Sequence, residues 1–406
     1  MSCFSFAKLI PGGNPTILLL EPDLDQEALA GISARLMHPL HLQAEQVGAL
    51  YWGGVPGAHD GLADAERGGQ TKPGHEARAG VAHEIFDPGQ PPQVQPPQAL
   101  PPQVLPMLRM MGGEFCVNAT RAAAVLLARR GLMRRCAAAS GHKACTTACG
   151  VQAGGLSLSP SGPGAAQGPL LAGALRVSGA ARPVRVLVAV HEQSLEAGIV
   201  RCLARAASPG HIGPAREDGT HNPAPVDLPA AVYSAAELAE LDDPAAGVSC
   251  RMLEAGTALV RMPGMSHLLL DCAVHPLPDL QSPAWRQCSA KMRRRYGLHM
   301  EEASGVVWHG EHPAGRRIWP AVEVRATATE HLESACGSAS LALALHLALE
   351  GVHEAGDGAA RSLTIAQPSG ECLRVHLPPP GAADAVPSRA WVSGPVFLAA
   401  EGRVFS

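Results

Sequence analysis

Aromatic side chains are scarce in this chain: Phe, Trp and Tyr make up 3% of its 406 residues, so a core must be built largely from Leu, Val and Ala. Surplus charge is scarce too. The formal net charge is −4, and the basic clusters RRGLMRR (129–135) and RRR (293–295) are short enough to read as solvated helix faces or ends. Nucleic acid is therefore not expected as a partner. Long apolar runs are also missing. The opening MSCFSFAKLIPGGNPTILLL is broken by Lys8 and by the stretch from Pro11 to Pro15, which makes it a strand, a turn and a strand with neither secretory signal nor membrane span. His-Glu-x-x-His is absent, and no Gly-x-Gly-x-x-Gly leads from a strand into a helix. Cys145 and Cys149, at C-x3-C spacing, lack two further ligands, and His309 and His312 form only a pair in a turn-like stretch, so no metal is expected.

Cysteine is what the chain does have. Its eleven cysteines, an odd number without regular spacing, point to reduced thiols in a cytoplasm, most of them small buried apolar residues. Two stand apart. Cys116 in MMGGEFCVNATRAAAVLLARRG and Cys336 in ESACGSASLALALHLALEG each open an apolar helical run among small residues, and Gly131 and Gly351 end those runs at matching intervals. The two stretches read as one element occurring twice.

Between Pro-, Gln-, Gly- and Ser-rich stretches at 87–106, 137–172, 207–230 and 378–389, expected as surface loops, the signal is mostly short strand. Strands are expected at 16–21, 174–179, 183–190, 257–262, 267–272, 305–309 and 319–327. Residues 362–377 read as a hairpin about Pro368-Ser369-Gly370, and 396–405 as a closing hairpin about Glu401-Gly402. Few long helices appear beyond the two that follow the cysteines. The pattern predicts an α+β chain of two pseudo-symmetric halves, each a bent sheet around one central helix. The first half would take residues 1–190 with closing strands at 391–406, and the second 191–390.

A helix N-terminus carries unpaired N–H groups and partial positive charge. A cysteine there is expected to have its pKa lowered toward neutrality, and the same N–H groups can hold a carboxylate. With two such ends facing each other, an α-amino acid could sit between two sulfurs. One thiolate would remove the α-proton and the opposite thiol would return one to the other face, with no cofactor.

In these residues the chain resembles the diaminopimelate epimerase-type family of cofactor-independent racemases. FAKLIPGGNPTILLLE (6–21) is similar to the family's opening strand, turn and strand, with Asn14 as the turn asparagine. VRMPGMSHLLLD (260–271) resembles the strand ending in Gly-Asn-Pro-His, with Gly264 and His267 matching and Met265-Ser266 departing. GGEFCVNATRA and ESACGSAS look most like the histidine racemases of staphylopine-type opine metallophore synthesis, as does LQAEQVGALYW (42–52). The motifs Asn-Ala-Asp-Gly-Ser-Glu and Glu-Arg-Gly of diaminopimelate epimerase itself are missing.

The resemblance implies Cys116 and Cys336 as the two bases and no cofactor. It implies a substrate carboxylate held by Val117, Asn118, Gly337 and Ser338, with Asn14 nearby. Glu45 would face an imidazole, His267 would orient one thiol, and Glu333, one helical turn before Cys336, would hold the substrate amine. The partner would be a small amino acid, with no nucleic acid or membrane, and a homodimer is left open. Val117 stands where the family has glycine, and its β-branch crowds the pocket and disfavours positive φ. Diaminopimelate epimerase, proline-type racemases, a phenazine-biosynthesis type isomerase and a non-catalytic amino-acid-binding homologue stay open as alternatives.

Overall fold

The computed structural model describes residues 3–52, 105–135, 170–190, 232–239, 248–350, 361–377 and 389–405. The expected loops at 87–104, 137–169, 207–230 and 378–388, with Cys145 and Cys149, lie outside the described residues. What is described is mostly strand: one mixed sheet of 17 strands and four α-helices.

The chain opens with β1 (Cys3–Pro11), turns through Gly12 and Gly13 at φ of 63° and 100°, and returns as β2 (Thr16–Leu20). Both turn residues have the left-handed backbone that glycine adopts without strain. Helix α1 (Gln26–Met37), N-capped by Asp25 accepting from the Ala28 N–H, crosses over so that β3 (Gln46–Tyr51) lies parallel to β2. Next come β4 (Met107–Met110), α2 (Val117–Arg129), β5 (Arg134–Arg135), β6 (Leu170–Val177), β7 (Val184–Val190) and β8 (Val232–Ala239). The rest of the chain supplies β9 (Ser249–Glu254), β10 (Thr257–Met262), β11 (Met265–Asp271), α3 (Ala284–Arg295), β12 (Ala303–His312), β13 (Gly315–Val324), β14 (Thr329–Leu332), α4 (Gly337–Leu349), β15 (Arg361–Ala366), β16 (Cys372–Leu377) and β17 (Arg389–Phe405).

The pairing pattern occurs twice. β1 is antiparallel to β2, β2 parallel to β3, β3 antiparallel to β4, β4 parallel to β6 and β6 antiparallel to β7. β10, β11, β12, β13, β15 and β16 repeat that order of directions. In both series one helix precedes the third strand and a longer buried one follows the fourth. Those buried helices are α2 and α4, whose residues from Val117 to Leu127 and from Gly337 to Leu347 are buried without interruption. Helices built from Ala and Leu with almost no polar face can only be core helices, and each is wrapped by its own strands. β17 runs through both series: it pairs with β16, with β8, and along its second part with β1.

Several expectations need correction. Residues 396–405 are not a hairpin but the second part of the single strand β17, with Gly402 opposite Phe6 on β1. The Phe6 ring covers that glycine, so the glycine makes room for an aromatic rather than for a turn. His309 and His312 lie on β12, not in a turn, and Glu333 sits in the link between β14 and α4, not on a helical turn. Of the seven described cysteines only Cys116 and Cys336 are buried, so most of those described are not core residues. In the RRR cluster, Arg293 is buried and pairs with Glu330 and Glu323, while Arg295 is exposed. Among the described residues no helix is long and apolar enough to cross a membrane.

Candidate active site

The two cysteines are the N-caps of α2 and α4, and the local geometry is the same at both. Each has extended backbone angles, φ −119° and ψ 112° at Cys116 and φ −133° and ψ 107° at Cys336. Each Sγ accepts the backbone N–H three residues on, from Ala119 at 3.3 Å and Ala339 at 3.4 Å. Each carbonyl accepts a hydroxyl from the first turn, Thr120 or Ser340, at 2.7 Å. A thiol thus occupies the place where Ser or Asp usually caps a helix.

The two helix starts abut. A Cβ added to Gly337 would stand 2.7 Å from Val117 Cγ1, so glycine on one helix makes room for valine on the other. Val117 is helical, so the substitution for the family glycine brings no backbone strain. Asn118 and Asn14 both donate to the Ala335 carbonyl, at 2.8 and 3.0 Å, which ties the first cysteine loop and the opening turn to the second cysteine loop.

A chain of polar groups connects the two thiols. Cys116 Sγ donates to Gln46 Oε1 at 2.9 Å, and Gln46 Nε2 donates to Glu333 Oε1 at 2.9 Å. Glu333 in turn interacts with the Cys336 thiol, and its Oε2 makes no hydrogen bond of good geometry. On its other side Cys336 Sγ lies 3.4 Å from Ser338 Oγ, which is 3.0 Å from His267 Nε2. The His267 ring is fully buried against Gly305, its Nδ1 has no partner, and burial lowers its pKa to about 3, so it is a neutral imidazole.

Burial decides the protonation of everything else here. Both thiols are pushed up, Cys116 and Cys336 alike, because a thiolate inside the protein loses its hydration; the helix N–H groups act in the opposite sense but are outweighed. The lowering toward neutrality expected from the helix ends is therefore outweighed by burial. Burial also raises three carboxyls, Glu45 to about 8 and Glu114 and Glu333 to about 7. Glu45 sits among the site residues, but Asn14 Nδ2 (2.9 Å), the Ser334 N–H (2.8 Å) and the Ser334 hydroxyl already occupy its carboxyl.

A cavity opens onto this network, lined by Glu45, Gln46, Glu114, Cys116, Glu333 and Ser338 together with apolar residues from β11 and β13. Its free space, about 20 Å³, is room for a water molecule. Among the described residues no group of three His, Cys, Asp or Glu side chains is placed to hold a metal ion. The structure thus brings all ten residues expected from the sequence to one place, where Gln46, Glu114 and Gln367 join them. Gln367 accepts the Cys336 N–H at 2.9 Å. Gln46 left a trace in the sequence as a polar residue opening the apolar run of β3, all six residues of which are buried, and Glu114 as the acidic residue of GGEFCVNATRA; Gln367 left none.

No known protein family matches the sequence, and no curated protein does. Among solved structures the chain is similar to a hydroxyproline epimerase from Agrobacterium vitis, with 11% identity and a TM-score of 0.46 over 99% of this chain and 92% of that one. It is also similar to a PhzF-family phenazine biosynthesis protein from Bacillus anthracis, at 9% identity and TM-score 0.44 over all of both chains. A third is a probable proline racemase from Agrobacterium radiobacter, at 10% identity and TM-score 0.44 over 99% of this chain and 93% of that one.

Proposed function

We propose that this protein is a cofactor-independent amino-acid racemase or epimerase of the diaminopimelate epimerase type, with histidine as the favoured substrate on the strength of the sequence resemblance. The observation that carries the reading is the pair of cysteine N-caps on abutting core helices, linked through Gln46 and Glu333.

The substrate carboxylate would take the free N–H groups of the first turns of α2 and α4, near Val117, Asn118, Gly337 and Ser338. Charge that develops on it as the α-proton leaves is then stabilised by both helix ends. For removal from one face, the Cys336 thiol gives its proton to Glu333, whose pKa of about 7 suits an acceptor at neutral pH. The thiolate takes the α-proton as the Cα–H bond breaks, and Cys116 donates its thiol proton to Cα from the opposite face. Its Sγ–H is already ordered by Gln46. The next turnover starts from the opposite protonation, so the roles of the thiols exchange. Ser338 and the neutral His267 position Cys336.

The test is loss of the α-proton NMR signal of L-histidine in D₂O with chiral analysis of the product, repeated over an amino-acid panel. Exchange that disappears in both Cys116→Ser and Cys336→Ser is the expected result, with activity falling by at least about 1,000-fold in each, as when one member of an acid–base pair is removed. A second reading, a binding homologue without turnover, is favoured by the raised thiols. Under it no amino acid exchanges and Cys116→Ser still binds its ligand.

A further inference from the structure

The cavity beside Cys116 is lined by three carboxyls, Glu45, Glu114 and Glu333, each at least half buried; Glu333 raises the proton affinity of Glu45, and Glu114 that of Glu333. Among the described residues no Lys or Arg lines it. Its single imidazole, His331, is held neutral by burial and by nearby Arg286. Two buried carboxyls and one half-buried one, with no cation among the described lining residues, are an unfavourable arrangement for the protein by itself. Glu333 lines the cavity at 4% exposure; its Oε1 takes the Gln46 amide, while its Oε2 accepts no N–H or O–H among the described residues, so beside the Cys336 thiol it keeps acceptor capacity for a ligand.

The three are not equivalent. Glu45 is occupied by Asn14 and Ser334, and Glu333 is tied to Gln46 and Cys336. Glu114 is 4% exposed, and among the described residues its carboxyl accepts, outside its own backbone, the Gly112 N–H alone, at 2.8 Å. Its backbone is held from two sides. Gly179, in the turn after β6, and Gly264, in the turn between β10 and β11, press against the Glu114-Phe115 peptide, so that a Cβ on either would lie 2.4 Å or 2.7 Å from Phe115 N. Both glycines have φ near +74°, at 74° and 73°. Ser178 Oγ also donates to the Glu114 carbonyl at 3.0 Å. One turn from each series of strands thus fixes where this carboxyl stands.

From this placement we infer that Glu114 is a specificity-determining residue, which pairs with a cationic group on the side chain of the substrate and selects basic amino acids over neutral ones of the same shape. The inference rests on the racemase reading for the word substrate, but the recognition it describes is a binding property. A basic side chain supplies the charge that the cavity lacks, and a buried carboxylate deprived of it is left unpaired, which makes discrimination steep.

The experiment measures binding by calorimetry to the reduced protein at pH 7.5, with L-arginine against L-citrulline, L-lysine against L-norleucine, and L-histidine. Exchange in D₂O is followed separately. The expected result is that each cation binds about 10- to 100-fold more tightly than its neutral isostere, as for a charge-assisted hydrogen bond in a buried site. In Glu114→Gln that preference falls to near one, while Glu114→Asp keeps part of it; circular dichroism confirms that both variants fold. Equal binding of cation and isostere overturns the inference. So does a preference that survives Glu114→Gln, or one that Glu45→Gln abolishes and Glu114→Gln does not. Selective binding without exchange of any amino acid supports Glu114 and overturns the racemase reading. Exchange with a preference for neutral amino acids does the reverse.

Discussion

Glu45, Glu114 and Glu333 keep their protons in the folded chain to about pH 8, 7 and 7, whereas in the unfolded chain each would lose its proton near 4.5. The cause is burial in all three. Between those values the native state binds more protons than the unfolded state, so stability falls as pH rises from about 4.5 and levels off once the folded pKa is passed. The buried imidazoles work in the opposite direction. His267, His309 and His376, lowered to about 3, 4 and 4, make stability rise with pH until the unfolded histidine range near 6.5. A comparison of Glu114→Gln with the unaltered protein cancels the histidine contribution. Urea unfolding from pH 5 to 9 should show the variant gaining on the parent by about 1.4 kcal/mol per pH unit between 5 and 7, with a constant difference above 8. A difference that stays flat across the whole range would mean that Glu114 is already ionised in the folded protein.

At the level of elements, the contact between α2 and α4 is the one on which the site depends. Gly337 and Val117 are complementary there: a methyl group on Gly337 would lie 2.7 to 2.8 Å from the Val117 side chain and 3.0 Å from Asn118 Oδ1. Gly337→Ala should therefore destabilise the protein by about 1–3 kcal/mol through overpacking, despite the better helix propensity of alanine. Val117→Ala alone should cost about 1.5 kcal/mol for the two buried methyl groups it removes. The double variant should be more stable than the sum of the two predicts, because the smaller side chain makes room for the new methyl; a double-mutant cycle in urea reads that coupling. Additive losses would mean that the helix starts do not touch in solution. These two helices were legible in the sequence because an uninterrupted Ala/Leu run behind a small-residue cap has few other structures open to it. α3 was not, since AWRQCSAKMRRR has a basic and polar composition and no side-chain cap, and it is held through Trp285 and Arg293 by packing that no local signal announces. The site was half legible. Its thiols and loops are local motifs, whereas Gln46, Glu114 and Gln367 acquire meaning only when four separate strands and loops converge. The thiol pKa was misread because helix polarity is local and visible in the sequence, while burial is a property of the assembled molecule.

For the molecule as a whole, β17 is the element that joins the two series of strands. Its first part pairs with β16 through Trp391, Val392 and Ser393, and with β8 from Arg389 to Val396. Its second part pairs with β1 from Val396 opposite Pro11 to Phe405 opposite Cys3, so β1, β2, β3, β4, β6, β7, β8 and β17 form a closed ring around α2. The crossover between these parts bears directly on the site. Pro395 O accepts the Gly12 N–H at 2.8 Å and Arg121 Nη2 at 3.1 Å, and the same guanidinium reaches Asn118 Oδ1 at 3.4 Å. Burial lowers the Arg121 pKa to about 9, which leaves the cation intact at neutral pH beneath the first cysteine loop. Two truncations separate the roles of the strand. Removal of residues 401–406 strips an exposed end, since Glu401, Gly402, Arg403 and Phe405 are exposed, and should leave a cooperative thermal transition lowered by a few degrees. Removal of 396–406 also deletes Val396, Phe397 and Leu398, all buried, and leaves β1 without its partner at the ring closure, while β8 keeps its pairing with residues 389–395. That longer deletion should abolish the cooperative transition seen by calorimetry, because the ring around α2 is opened along the whole length of β1 and Pro395, whose carbonyl holds Gly12 and Arg121, becomes an untethered chain end. A cooperative transition that survives the longer deletion would show that the remaining strands close around α2 without the second part of β17, and that the two cysteine loops are held together by their own contacts.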